Sequence, residues 1–150
     1  MKSLYHYTMI IILPFFLSSA CDKDNPVEAH ENHNDAEGVI LMIDETVIVR
    51  IEEGEVKSGE VSVKTGQTTK AITVFFLDHD GDPFIPAEEA SSLYVDIDDK
   101  EIAGQANVAG QPWQFTVIGK KTGTTQLELK LLHGDHADFT APPVPVKVTE

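Results

Sequence analysis

The stretch of the sequence richest in groups that bind metals lies near the C-terminus, at residues 133–138. Its sequence, HGDHAD, contains His133, Asp135, His136 and Asp138. Imidazole nitrogens and carboxylate oxygens together suit zinc, nickel or copper(II). We therefore predict a loop that can hold a divalent transition metal. The alternative is a polar loop in which an aspartate bonds its own backbone, as in an Asx turn.

Two other histidines, His30 and His33, are also three residues apart and lie far upstream of this hexad. They would complete the metal shell if their segment folds back onto it. Otherwise they form a short metal-scavenging tract that needs no fold.

A second candidate cation site is the run DHDGD at residues 78–82. Its carboxylates alternate, and Glu89 stands where a calcium loop places its bidentate glutamate, so the run resembles an EF-hand loop. Pro83 replaces the glycine that such a loop requires, and strands flank it instead of helices. Since Asp80-Gly81 is a favoured hairpin turn, we predict a hairpin here, with calcium binding as the alternative.

Catalytic motifs are missing from the sequence. Gly-x-Ser-x-Gly, the P-loop pattern and His-Glu-x-x-His do not occur, and no pair of carboxylates stands out as the pair of a glycosidase. We predict that the protein is not an enzyme.

The charge of the chain limits its partners. Asp and Glu number 25 against 11 Lys and Arg, for a net charge of -14. This imbalance repels phosphate backbones, which makes nucleic acid an unsuitable partner. It attracts cations and basic partners instead.

Residues 1–20 have the pattern of an export signal. Lys2 precedes an apolar run at residues 9–17, and Ser18-Ser19-Ala20 follows it. A basic N-terminal region, a short apolar segment and small residues before the cleavage site are typical of cleaved signal peptides. The apolar run is shorter than the roughly 20 residues that a membrane-spanning helix needs. We predict that residues 1–20 are removed.

Cys21, the only cysteine, follows this signal directly and has no partner within the chain for a disulfide. The run Leu17-Ser18-Ser19-Ala20-Cys21 resembles a bacterial lipobox, with Ser18 at the position where leucine is usual. The resemblance implies that the thiol carries a diacylglycerol, which anchors the protein to the outer membrane at its periplasmic face or at the cell surface. The alternative is an ordinary secreted protein with an unpaired thiol.

Residues 22–37, DKDNPVEAHENHNDAE, contain almost nothing that could be buried. With Cys21 they form the predicted tether, residues 21–37, which should be disordered because burial cannot offset its ordering entropy. Its acidic start, Asp22-Lys23-Asp24, is similar to the surface-export tags of lipoproteins in some Bacteroidota. A merely soluble spacer is the alternative.

From Gly38 to the end the dominant period is two, which indicates β-strands. Apolar residues alternate with polar ones at residues 47–52, 93–97, 113–117 and 127–131, and denser apolar runs occupy residues 39–43 and 72–77. Turn signals such as Glu53-Gly54 and Thr122-Gly123 separate them. Seven to nine short strands in residues 38–150 predict an all-β antiparallel sandwich, with a closed barrel as the rival.

Residues 101–132, which include IAGQANV, WQFTVIG and TGTTQLELKL, resemble the last strands of bacterial immunoglobulin-like domains. The resemblance implies an immunoglobulin-like sandwich that acts as a spacer, an adhesive module or a binding domain. Without the cysteine pair of antibody domains, packing alone must hold Trp113.

These observations give two hypotheses for function. The first is a lipid-anchored binding or interaction module of the cell envelope, whose partner is a protein such as an outer-membrane receptor or a small ligand. The second is a metal-binding lipoprotein that captures zinc, copper or nickel and hands it over.

Overall fold

The computed structural model describes residues 35–150, and the predicted leader, Cys21, His30 and His33 lie outside this range. The described residues form twelve β-strands in two sheets. Among them, no helix has the length and apolar character needed to cross a membrane.

The first sheet contains seven strands. Its strands are β1 (Gly38–Ile43), β2 (Thr46–Glu52), β3 (Glu55–Gly59), β5 (Ile72–Leu77), β6 (Pro83–Phe84), β8 (Ala103–Val108) and β9 (Gln111–Gly119). Six follow the spatial order β3-β2-β1-β5-β9-β8, and the short β6 pairs with β5. All of its strand pairs are antiparallel.

The second sheet contains five strands: β4 (Val61–Lys64), β7 (Ser91–Ile97), β10 (Gly123–His133), β11 (His136–Thr140) and β12 (Val144–Thr149). The long strand β10 pairs on one side with β7, and on the other with both β11 and β12. Strand β4 pairs with β12 in parallel orientation.

The strand order is that of an immunoglobulin-like sandwich. Immunoglobulin domains place strands A, B, E and D in one sheet and C, F and G in the other. Here β1-β5-β9-β8 and β7-β10-β12 reproduce those two sets. The predicted all-β sandwich is therefore confirmed, and five additional strands, β2, β3, β4, β6 and β11, raise the count to twelve, above the expected seven to nine.

Alternating apolar side chains build the core between the sheets. Leu127, Leu129 and Leu131 of β10 are buried, while the residues between them are more exposed. The first sheet contributes fully buried Phe76 and Phe115. Trp113 packs edge-on against Phe76, with ring centroids 5.9 Å apart, so packing holds this tryptophan as the sequence predicted.

The chain passes from the first sheet to the second between β3 and β4. Gly59, the last residue of β3, has a φ of 90°. A Cβ at this position would lie 1.9 Å from the carbonyl oxygen of Ile48. Only glycine satisfies both conditions, so Gly59 fixes the point at which the chain leaves the first sheet.

Candidate functional site

The hexad at residues 133–138 is a β-hairpin instead of the predicted loop. Only Gly134 and Asp135 lie outside the strands, between the last residue of β10 and the first of β11. Gly134 has a φ of 60°, which suits the first central position of a two-residue hairpin turn. The loop prediction was wrong because this tight turn lets residues 136–140 pair with β10.

The hairpin places His133 and His136 directly opposite each other. Their ring centroids are 6.1 Å apart. The side chain of His133 is 37% exposed and that of His136 is 74% exposed. The two histidines therefore share the hairpin end, but their environments differ.

His133 lies between two carboxylates. Its Nδ1 is 3.6 Å from Oδ2 of Asp138 and 3.7 Å from Oε2 of Glu88. Both distances exceed the 2.7–3.2 Å of an ordinary N–H···O hydrogen bond. Small shifts of the side chains, or a bridging water or cation, would connect the three groups.

Two backbone features bring these three residues together. The β10–β11 register shifts between Leu131 and Leu132, so Asp138 has no partner residue on β10. Such a bulge changes the direction of a side chain relative to regular pairing. On the other side, the amide of Gly134 donates to the carbonyl of Ala90 at 3.0 Å, which fixes the hairpin against the segment that carries Glu88.

Asp135 and His136 form a separate pair. Nδ1 of His136 is 3.2 Å from Oδ1 of Asp135, and the Asp135 side chain is fully exposed. The four predicted ligands thus fall into two groups, His133 with Asp138 and His136 with Asp135. Within residues 35–150, no three His, Cys, Asp or Glu side chains stand close enough together to hold a metal ion without rearrangement.

A cavity of about 310 Å³ is lined in part by Glu88 and Asp138, the two carboxylates near His133. Its apolar lining includes Phe84, Ile85 and Leu131, and its carboxylates are those of Asp35, Glu88 and Asp138. The cavity therefore combines an apolar wall with negative charge. Asp35 is the first residue of the described chain.

The run at residues 78–82 is a hairpin turn, as predicted. Strands β5 and β6 pair on either side of it. Oδ1 of Asp78 accepts hydrogen bonds from the amides of Asp80 and Asp82 at 3.0 and 2.9 Å. This carboxylate therefore stabilises the turn. Glu89 is exposed and lies outside the turn, in the segment before β7.

A second cavity, of about 420 Å³, lies at the second sheet, and Asp96, Lys100 and Glu128 contribute to its lining. Lys100 donates to Asp96 at 3.0 Å, and this hydrogen bond lowers the pKa of the Asp96 carboxyl. Nearby, the carboxylate of Glu128 raises the pKa of Lys130, whose ammonium lies 5.2 Å from the ring centroid of Tyr94. The charges in this groove are thus largely paired.

Sequence reasoning did not identify Glu88 or Asp35. Glu88 lies in an acidic, alanine-rich stretch whose carboxylates are not spaced like the ligands of a metal site. It is also 45 residues from His133 in the sequence. The pairing of β7 with β10 and the hydrogen bond from Gly134 to Ala90 bring it close, and no local pattern encodes either contact. Asp35 was assigned to the tether because its neighbours are polar.

No protein-family model and no curated protein sequence matches the chain. Among solved structures, it is similar to domains 4 and 5 of the S-layer protein SbsC, with 26% identity and a TM-score of 0.44 over 75% of this chain and 54% of that one. A structure of SbsC domains 5–6 gives the same identity and TM-score over 68% of this chain and 44% of that one. The chain thus spans about half the length of each of these S-layer structures.

Proposed function

We propose that the protein is a lipid-anchored binding module of the cell envelope with no catalytic activity of its own. The observation that carries this proposal is the position of Cys21. It follows the small residues Ser18-Ser19-Ala20 directly, and it precedes the first strand, which begins at Gly38. A sandwich domain therefore follows the predicted anchor after a short polar segment.

The anchor and the segment together give the domain a defined reach. Acyl chains on Cys21 would hold the protein at the membrane with about 0.8 kcal/mol per buried methylene. The chain between Cys21 and Gly38 spans at most about 60 Å at 3.3–3.6 Å per residue. The sandwich can thus meet a partner protein or a small ligand beyond the lipid headgroups.

The electrostatics of the described residues support a binding role over a catalytic one. Catalytic acids and bases commonly have pKa values shifted by burial and by specific neighbours within a cleft. In residues 35–150 the resolved shifts belong to groups in exposed ion pairs, and the main cause in each is a hydrogen bond to the partner. Such pairs are typical of a solvated surface.

Metabolic labelling with a clickable fatty acid in a lipoprotein-exporting bacterium tests the anchor. We expect label on the wild-type chain and on a Ser19→Ala control, which keeps a small residue in the cleavage region. Cys21→Ser should lose the label and leave the membrane fraction. Equal labelling of Cys21→Ser, or an unlabelled wild type, would contradict the proposal.

Binding of a divalent transition metal is the second candidate function. The observation that favours it is the position of His133 Nδ1 between the carboxylates of Glu88 and Asp138, at 3.7 and 3.6 Å. Zinc, copper or nickel captured there would be held for transfer to a membrane receptor. Calorimetric titration of the protein with zinc tests this function, and the absence of binding at micromolar concentrations would contradict it.

A further inference from the structure

We infer that strand β8 pairs with the β8 strand of a second copy of this chain, so that two domains share one continuous antiparallel sheet. Strand β8 lies at one end of the first sheet, and within residues 35–150 it pairs with β9 alone. This association goes beyond the proposed binding module, because it requires neither the lipid anchor nor a bound metal.

The hydrogen bonds of β9 determine which backbone groups of β8 face outward. The amide of Val117 donates to Oγ1 of Thr69 at 3.0 Å, and its carbonyl accepts from the Thr69 amide at 2.9 Å. Val117 thus directs both groups away from β8. Gln105, which lies opposite Val117, therefore directs its own amide and carbonyl away from β9. Because such pairs alternate along an antiparallel ladder, Asn107 does the same in the unbroken register up to Phe115.

The open side of β8 therefore presents the amide and the carbonyl of both Gln105 and Asn107. In the part of the chain that the structure describes, no turn or loop backbone bonds to these groups. An edge of this kind is a template for pairing with another strand.

A second β8 strand in antiparallel orientation matches this pattern of donors and acceptors. When Ala106 lies opposite Ala106 of the second copy, Gln105 of each copy lies opposite Asn107 of the other. Each of these two pairs exchanges both of its N–H···O bonds. Ala106 is exposed and its methyl group is small, so the strands can approach to the roughly 4.5 Å between Cα atoms of a non-hydrogen-bonded pair.

The charge of the edge selects a second copy as the occupant. The chain carries a net charge of -14, so most of its surface repels its own copy. Strand β8, AGQANV, contains no titratable residue, and its self-pairing places no like charges opposite each other. The other strands that pair on one side only and exceed two residues each contain a charged or titratable side chain; they are β3, β4, β7 and β11.

Strand β8 also lacks the usual protection of an edge. Proteins commonly prevent edge pairing with charged side chains, proline or a bulge. Charges and proline are missing from β8, and its register shift lies only at the end, between Asn107 and Val108. The residues that form the inferred bonds precede this shift.

Sedimentation of the full chain in density-matched detergent tests the inference. Cys21→Ser is the background for every sample, since it excludes disulfides through Cys21. We expect a monomer–dimer equilibrium whose dimer fraction rises with protein concentration. Asn107→Pro removes one outward amide and leaves the β8–β9 bonds in place, so it should weaken dimerisation at least about tenfold. Asn107→Ala keeps the amide and should change dimerisation less than about twofold.

A disulfide test reports the register directly and does not depend on the proline variant. Non-hydrogen-bonded partners have Cα atoms about 4.5 Å apart, within the range of disulfides. Under mild oxidation, Ala106→Cys should therefore form a covalent dimer. Ser58→Cys is the matched control, because Ser58 is an exposed residue of β3, the strand at the opposite end of the same sheet.

Thermal unfolding checks that each variant is folded. A monomer at every concentration up to the millimolar range would overturn the inference. A dimer that Asn107→Pro leaves unchanged, or crosslinking of Ser58→Cys as fast as that of Ala106→Cys, would overturn it as well. All of these measurements use chains without an acylated Cys21, so the anchor is tested separately by the labelling experiment.

Discussion

Substitution of Gly59 by alanine tests whether glycine is required where the chain crosses from β3 in the first sheet to β4 in the second. Gly59 has a φ of 90°, and left-handed backbone of this kind costs an L-residue about 1–2 kcal/mol. The new Cβ would also lie 1.9 Å from the Ile48 carbonyl oxygen and 2.8 Å from its carbonyl carbon. Relief of such a contact requires a backbone shift, which typically costs a further 1–3 kcal/mol. We therefore expect Gly59→Ala to lower the free energy of unfolding by about 2–5 kcal/mol.

Gly54 is the matched control for this substitution. It has a φ of 73°, but nothing lies within 4 Å of a Cβ built there. Gly54→Ala should therefore lose only the conformational contribution of about 1–2 kcal/mol. Urea unfolding followed by the fluorescence of Trp113, the only tryptophan, measures both variants. Equal destabilisation of the two, or a loss below 1 kcal/mol for Gly59→Ala, would refute the reasoning about the crossing.

Three further predictions concern the core, one turn and one ion pair. Phe76→Ala removes a fully buried ring and should destabilise the domain by about 3–5 kcal/mol in urea unfolding; a loss below 1 kcal/mol would contradict the assigned packing. Asp78→Ala removes the acceptor for two turn amides and should cost about 1–2 kcal/mol by the same assay, whereas Asp80→Ala should stay within about 0.5 kcal/mol. Because a hydrogen bond from Lys57 lowers the pKa of the Glu53 carboxyl from its ordinary value, the small stabilisation from this pair is present above the unfolded-state pKa and is lost as the pH falls through the folded-state pKa. An NMR titration of Lys57→Met should find the Glu53 pKa raised, and an unchanged value would show that the pair does not form in solution.

Most of the strands that the sequence predicted have side chains that alternate between the core and solvent, while β1 and β5 were predictable from their dense apolar runs. Leu127, Leu129 and Leu131 alternate with polar residues because one face of β10 is buried and the other meets solvent. Turns at Glu53-Gly54 and Asp80-Gly81 were also predictable, since positive φ angles there favour glycine. Local patterns of this kind are sufficient for the fold class.

Features that depend on contacts distant in sequence were not predictable. Strand β11, HADFT, is mostly exposed, so it lacks the alternation that identifies a strand, and its pairing with β10 depends on the Gly134 turn. The proximity of Glu88 to His133 arises from the pairing of β7 with β10. The candidate site was therefore only half predictable, because the sequence indicated His133 and Asp138 but not the carboxylate on their other side.

Mass spectrometry of the N-terminal peptide, from protein isolated from the membranes of its native host, tests the central claim most directly. We predict a peptide that begins at Cys21 and carries the added mass of a diacylglycerol, with residues 1–20 absent. A free Cys21 thiol, or a peptide that still contains the leader, would contradict the account of a lipid-anchored envelope module.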